Sequence, residues 1–422
     1  MKLAFYWAYG LTVWITAASV SAFAQDITGT STPLATLILE AQSSNTQISA
    51  ATHAWKAATH ATQQSTILPD PQFTVQSYSV GSPRPLAGFS NSDFAYIGFG
   101  ASQEIPYGGK LRLKGETAVA ESNMQLAQVD LLRSSITDRI KVLYLRLAYL
   151  DATLSILRRN DAVLKLTIET GLSRYSLGQG SQAEVLRAQM EHTKILREVT
   201  LHHEEMGQLQ ASLKQLLHRL QTSPNIVAEP LSLTSLHRSA EEMQNLVVAH
   251  SPAVYVGTAS VHKQDAQLKS AQREGKPDFN VGYMFQQTGN KYRDYYMLTV
   301  SMRLPRRKRV EAGVAEAAES LERSKQELDS QVQEQLAEVQ KQYITVVGNA
   351  ELLAEYQEGL LPQARAALDA EQTTYQSGKQ GLVPVLSSLL ALLSFEHDYQ
   401  QALLDHETAI SHLETLTGAQ LR

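Results

Sequence analysis

Twelve histidines are the first residues in this chain to suggest chemistry, because a neutral imidazole is the commonest side-chain ligand for a metal ion. Their spacing works against that use. His202 and His203 are neighbours, so on a helix they point about 100° apart and make a poor chelating pair. His53 and His60 can share a helix face, but two turns separate them. No HExxH motif accompanies them, and there is no cysteine to complete a mixed site. The missing cysteine also excludes disulfides, thiolate nucleophiles and a lipid-modified N-terminal cysteine. Gly108-Gly109-Lys110 lacks the spacing of a phosphate loop, and no nucleophile–histidine–acid arrangement emerges. The expectation is a protein that is not an enzyme, with no catalytic residue, no bound metal and no cofactor.

Two other groups carry chemistry of a different kind. Arg306, Arg307, Lys308 and Arg309 form the only dense basic cluster; it suits either contact with anionic lipid headgroups or a solvated helix entry beside Glu311 and Glu316. The second group is a phrase written twice. "RYSLGQGSQAEVL" begins at Arg174 and "TYQSGKQGLVPVL" at Thr374, so Tyr175, Gly178, Val185 and Leu186 recur as Tyr375, Gly378, Val385 and Leu386. Glycine admits a turn with positive φ, and a tyrosine can pack or hydrogen-bond at a helix end. A plain helix–turn–helix connection fits these residues as well.

The elements that hold the phrase repeat with it. "PQFTV" at Pro71 returns as "PDFNV" at Pro277, an offset of 206 residues. "QEIP" ends at Pro106 and "MRLP" at Pro305, an offset of 199, and the tyrosines are 200 apart. Only the loop inside each strand pair changes length, as expected of a duplicated structural unit. After each strand pair comes a long helical pattern. Ile136, Ile140, Leu143, Leu147, Leu150, Leu154 and Leu157 step by four and three, and Val332, Leu336, Val339, Tyr343, Val346, Ala350 and Leu353 do the same. This is the narrow seam of coiled-coil-like packing. From about Lys110 to Arg158 no proline intervenes, so the helix spans roughly 70 Å and the molecule must be elongated. Helices are also expected at about 181–219 and 381–418, and single helices at about 33–66 and 239–273.

The strands alternate. Phe279, Val281, Tyr283 and Phe285 share one face, as do Tyr296, Leu298, Val300, Met302 and Leu304, and as do Ala95, Ile97, Phe99, Ala101 and Ile105. Such runs fit a transmembrane barrel strand or a half-buried strand of a soluble sheet. Four strands cannot close a barrel, so the membrane alternative requires several copies around an axis. Residues 1–24 read as a secretory signal, with Lys2, an apolar core and Ala22-Phe23-Ala24 before Gln25; an uncleaved N-terminal anchor is the alternative. No further run of about 18 apolar residues follows. A net charge of −5 with 19% charged residues suggests neither disorder nor a nucleic-acid partner.

With these residues in view, the chain resembles the outer-membrane efflux factors, the TolC-like family, over about Pro33 to Leu421. The resemblance rests on the duplicated order helix, two strands, long helix, "RY..G" turn, helix. "PDP" at Pro69–Pro71 and "SQEIPYGGK" at Ser102–Lys110 add to it. It implies a mainly α fold with a small β part. Duplicated long-helix hairpins would form a periplasmic α-barrel, and two β-hairpins per chain would join a shared transmembrane β-barrel. The expected segments are a signal peptide 1–24, an N-terminal helix 25–70 and β-hairpin 71–106. Helical hairpin 107–220 and a linker 221–238 follow, then a helix 239–276, β-hairpin 277–305, and a second helical hairpin with the C terminus, 306–422.

The resemblance further implies a homotrimer in the cell outer membrane with a large periplasmic part, in contact with outer-membrane lipids. It would be a passive channel of a tripartite pump, exporting small molecules or metal ions. Its partners would be a periplasmic adaptor (membrane fusion) protein and an inner-membrane transporter of RND type. The "PDP…QEI..GGK" style looks closest to members paired with heavy-metal exporters. In the family the repeated phrase is the periplasmic tip where the pore narrows and the adaptor docks. That assigns gating and docking to Arg174, Tyr175, Gly178, Glu184, Tyr375, Gly378, Pro384 and Ser387. The chain departs from the pattern at Pro384 and Ser387, where some members place acids, so only a Glu184 ring would remain at the pore mouth. The alternative function is a soluble periplasmic coiled-coil adaptor or scaffold.

Overall fold

The computed structural model describes residues 31–89, 92, 94–289 and 293–421; the signal segment expected at 1–24 lies outside the described residues. Strand β1 (Gln72–Tyr78) pairs antiparallel with β2 (Tyr96–Ile105), β2 with β3 (Asp278–Thr288), and β3 with β4 (Tyr295–Arg303). The two repeats therefore meet at β2–β3 and build one sheet in sequence order. Pairing sets the faces, because side chains alternate along each strand. Phe73 and Val75 stand opposite Ala101 and Phe99, these opposite Tyr283 and Phe285, and these opposite Leu298 and Tyr296. One face is thus apolar across all four strands. Nothing among the described residues covers it: Phe73 is 81% and Leu298 70% exposed. The opposite face carries Thr74, Gly98, Gly100, Gly282 and Thr299, with Met284 lying over the two β2 glycines. A Cβ on Gly100 would come within 3.1 Å of the Met284 methyl. Both edge strands are exposed along their whole length.

Four helices run from the sheet. Helix α2 (Thr46–Thr66) enters β1, α3 (Lys110–Ser176) leaves β2, α6 (Pro252–Arg273) enters β3 and α7 (Arg307–Glu355) leaves β4. They lie side by side in the order α2, α3, α6, α7, the same order as their strands. Helix α3 has 67 residues, about 100 Å at 1.5 Å per residue, and so passes well beyond Arg158. Its seam is buried at Ile136, Ile140, Leu147, Leu150, Leu154 and Leu157. In α7 only every seventh seam residue, Val339, Val346 and Leu353, is fully buried, which leaves most of that helix for other contacts. The remaining helices are α1 (Leu34–Ser44), α4 (Gln182–Leu216), α5 (Ala240–His250), α8 (Leu361–Gln376) and α9 (Leu382–Thr417). A π turn, Tyr356–Leu360, joins α7 to α8. It ends two residues before Pro362, whose missing N–H and bulky ring disfavour a regular α turn.

The single helices expected at 33–66 and 239–273 are each divided, and the divisions sit at Asn45 and Ser251, again 206 residues apart. Asn45 caps α2: its side chain accepts from the N–H groups of Gln47 and Ile48. Its amide donates to the Leu216 carbonyl at 2.8 Å, so the end of α4 docks on the first break. At the second break Pro252 opens α6 with its φ already set for the first turn, and the end of α9 docks there. A Cβ on Gly418 would lie 2.6 Å from the His250 carbonyl. Gly418 and His218, at the repeat offset of 200, both adopt positive φ (65° and 55°).

Where α3 crosses α9, polar groups hold the two repeats in register. The Asp138 carboxylate receives Ser411 Oγ at 3.0 Å and faces His412 Nδ1 at 3.1 Å; Lys141 meets buried Glu414 at 2.6 Å. Burial opposes the Asp138 charge, but the hydrogen bonds from His412 and Ser411 outweigh it and lower its pKa. The hydrogen bond to Asp138 raises the His412 pKa against the cost of burial, with Glu338 of α7 adding to it. A raised histidine pKa stabilises the fold fully below about pH 6.5, and that contribution is lost as pH rises through the raised value. Asp138 contributes above its ordinary range and loses its part as pH falls through its lowered pKa. His412→Gln should therefore lower the melting temperature most in mildly acidic buffer and progressively less above neutrality. A melting difference that grows with pH would contradict the pairing.

Candidate functional site at the hairpin tips

Helices α3 and α4 meet through residues 177–181, and α8 and α9 through residues 377–381. Both turns close in the same way. The N–H of Gly178 donates to the Tyr175 carbonyl at 3.0 Å and that of Gln179 to Arg174 at 2.9 Å; Gly378 and Lys379 donate likewise to Tyr375 and Thr374. This is the left-handed helix stop that glycine permits, with φ of 73° at Gly178 and 78° at Gly378.

The side chains around the two turns part company. Tyr375 is 5% exposed and Tyr175 45%. Tyr375 is buried because the first hairpin supplies a seat for it. The Arg174 guanidinium lies 4.6 Å over its ring and Nη1 donates to its carbonyl oxygen at 2.7 Å. Gly171, one turn earlier, presents bare backbone: a Cβ there would lie 3.5 Å from both the tyrosine hydroxyl and a Val185 methyl, and 3.6 Å from Leu382. Burial raises the Tyr375 pKa, with Arg174 opposing and Glu184 adding to the rise, so the hydroxyl stays neutral. Glu184, in the first turn of α4, places its carboxylate against Gly381 of the other hairpin, where a Cβ would come within 2.7 Å of Oε1.

Of the residues singled out in the sequence, Arg174, Glu184 and Tyr375 converge on one junction between the hairpins, and Gly178 and Gly378 form the turns. Tyr175, Pro384 and Ser387 are exposed. Pro384 stands in the first turn of α9, where its missing N–H breaks no helical bond. Val185, Val385 and Leu386 are buried, but Leu186 is exposed together with Leu172 and Leu177, giving the first tip an apolar rim where the second has Gln372, Ser377 and the buried Leu386. Gly171 and Gly381 were not singled out in the sequence. The available signal was the repeat itself, since Gly171 aligns with Glu371 and Gly381 with Ser181.

The histidines disperse. His202 is half-buried, which lowers its pKa, near Glu205 and His397; His203 turns to its own backbone at Val199, and His397 meets Tyr149. Among the described residues no group of three or more histidine, aspartate or glutamate side chains is placed to hold a metal. No helix among them is long and apolar enough to cross a membrane.

A duplicated set of long helices bearing one four-stranded sheet is the TolC-like fold, and solved structures bear this out. The outer-membrane channel OprN superposes with a TM-score of 0.78 at 15% identity, covering 92% of this chain and 90% of that one. CusC, whose structures concern folding and transmembrane channel formation, gives 0.78 at 14%, with 92% of each chain covered. The outer membrane protein VceC of Vibrio cholerae gives 0.77 at 17%, covering 92% and 97%. At these identities the likeness establishes the fold. In sequence, residues 244–419 match the family described as outer membrane efflux protein, a stretch running from within α5 to the end of α9. No curated protein matches the chain in sequence.

Proposed function

We propose that this chain is the outer-membrane duct of a tripartite efflux system, a passive channel and not an enzyme. The observation that carries the reading is the sheet. It exposes an apolar face that crosses all four strands, leaves both edges unpaired, and stands at one end of a long helical set in which α3 alone runs about 100 Å. A lone four-stranded sheet of this kind is an aggregation hazard in water, whereas three copies joined edge to edge make a twelve-stranded barrel with a lipid-facing exterior. Helices α2 and α7, which flank the set in each chain, would meet in the same ring. The assembly is a homotrimer in the outer membrane, its helices forming a hollow periplasmic cylinder.

The tips are the gate and the docking surface. The Arg174–Tyr375 contact ties the second hairpin to the first, and loosening it frees the pore mouth. The apolar rim at Leu172, Leu177 and Leu186 is the surface that a periplasmic adaptor covers. Energy comes from an inner-membrane transporter, for which RND type is the family precedent. Pairing with a heavy-metal exporter rests only on the "PDP…QEIPYGGK" junction. Cell fractionation tests the whole. The expected result is recovery from outer membranes as a detergent-stable trimer. Release of the mature protein by osmotic shock without detergent would overturn the duct and favour the soluble adaptor or scaffold.

A further inference from the structure

The sheet's polar face ends in a basic collar. Arg303 closes β4 on that face, opposite Asp278, and Arg306 and Arg309 follow at the start of α7. With Lys110 and Glu274 these residues line a cavity of about 580 Å³. Not all of the charges there are free. Lys110 is buried and held by Asp278 at 2.9 Å and Glu274 at 3.3 Å, and Arg303 lies 3.4 Å from Glu104. The pairs with Lys110 occupy both carboxylates that line the cavity, Glu274 and Asp278. Arg306 and Arg309 are exposed and have no ion-pair partner among the described residues. Arg307, by contrast, is paired with Glu311.

We propose that this collar binds anions, and that it makes the junction between barrel and cylinder an anion-preferring segment of the lumen. The inference rests on the duct reading, which turns the sheet's polar face inward. Arg303 and Asp278 share that face, so the cavity they line opens to the lumen and not to lipid. Two unpaired arginines per chain give six in a trimer, converging on one axis. Several like charges around a confined passage raise the local concentration of counter-ions and repel co-ions. Guanidinium groups favour phosphates and carboxylates, which they hold in fork geometry. The solutes favoured at this level are therefore small carboxylated or phosphorylated molecules, and free metal cations are disfavoured.

The test uses purified trimers in planar bilayers under a tenfold potassium chloride gradient, with inorganic triphosphate added from the barrel side so that it reaches the collar without passing the tips. Wild-type channels should show a reversal potential on the chloride side and be blocked by triphosphate. In the Arg306→Gln/Arg309→Gln double variant the reversal potential should move toward potassium, and about tenfold more triphosphate should be needed. Arg307→Gln should leave both readouts unchanged. Unchanged selectivity and block in the double variant overturn the collar while leaving the duct intact. Triphosphate that binds lipid vesicles as well as trimers, with no effect on current, overturns it too. A wild-type protein that forms neither trimers nor conducting channels overturns the duct reading itself.

Discussion

Leu298→Lys should abolish recovery of the protein from outer membranes, whereas Thr299→Lys, one residue away, should leave it in place. Leu298 lies near the middle of β4 and its side chain belongs to the face shared with Phe73, Phe99 and Tyr283. Facing lipid at mid-depth, a lysine costs about 2–4 kcal/mol per site, and a trimer repeats that cost in each chain. The total, about 6–12 kcal/mol, is comparable with the whole stability of an ordinary domain. Thr299 is paired with Gly282 on the polar face, where a lysine meets water and costs little. The pair separates membrane burial from general damage to the sheet, because both substitutions alter the same strand. The readout is the share of protein that is detergent-extractable from outer membranes as trimer. Equal recovery of the two variants would mean that the apolar face is covered by protein or water and not by lipid.

The same pair shows what was legible in the sequence. Strand faces were readable because alternation is local: each residue's face depends only on its parity, and the register merely lines those parities up. What the apolar face packs against was not readable, since a soluble and a membrane sheet share the pattern and differ only in what surrounds them. The helix breaks at Asn45 and Ser251 were missed although both carry signals, a capping asparagine and a serine before proline. Helical polarity ran on through them, and the long pattern outweighed the short one. The repeat offset of 206 that links Asn45 to Ser251 was already present at Pro71 and Pro277. At the tips the turns were legible because glycine has one physical reason to recur there. The inequality of Tyr175 and Tyr375 was not, because it arises from contacts between residues 200 positions apart. Arg174 has Thr374 as its counterpart, and only one of the two can reach across to the other hairpin as a cation.

Arg174→Ala should shift the tips of an assembled trimer toward the open state. The substitution removes a charge-assisted hydrogen bond of 2.7 Å to the Tyr375 carbonyl, about 1.5–3 kcal/mol, and a guanidinium–ring contact at 4.6 Å, about 0.5–1 kcal/mol at a partly exposed site. Even about 2 kcal/mol per chain changes the balance between closed and open tips roughly thirtyfold, and three chains act on one pore. The acceptor is a backbone oxygen, and this dictates the controls. Tyr375→Phe keeps both the acceptor and the ring, so its conductance should stay near wild type. Tyr375→Ala keeps the acceptor but loses the ring and its seat on Gly171, so it should fall between. Arg174→Lys retains the charge without the planar fork and should also be intermediate. Single-channel conductance of reconstituted trimers reads the order directly. Wild-type conductance in Arg174→Ala, or a Tyr375→Phe channel as open as the alanine variant, would show that the Arg174 link does not hold the gate.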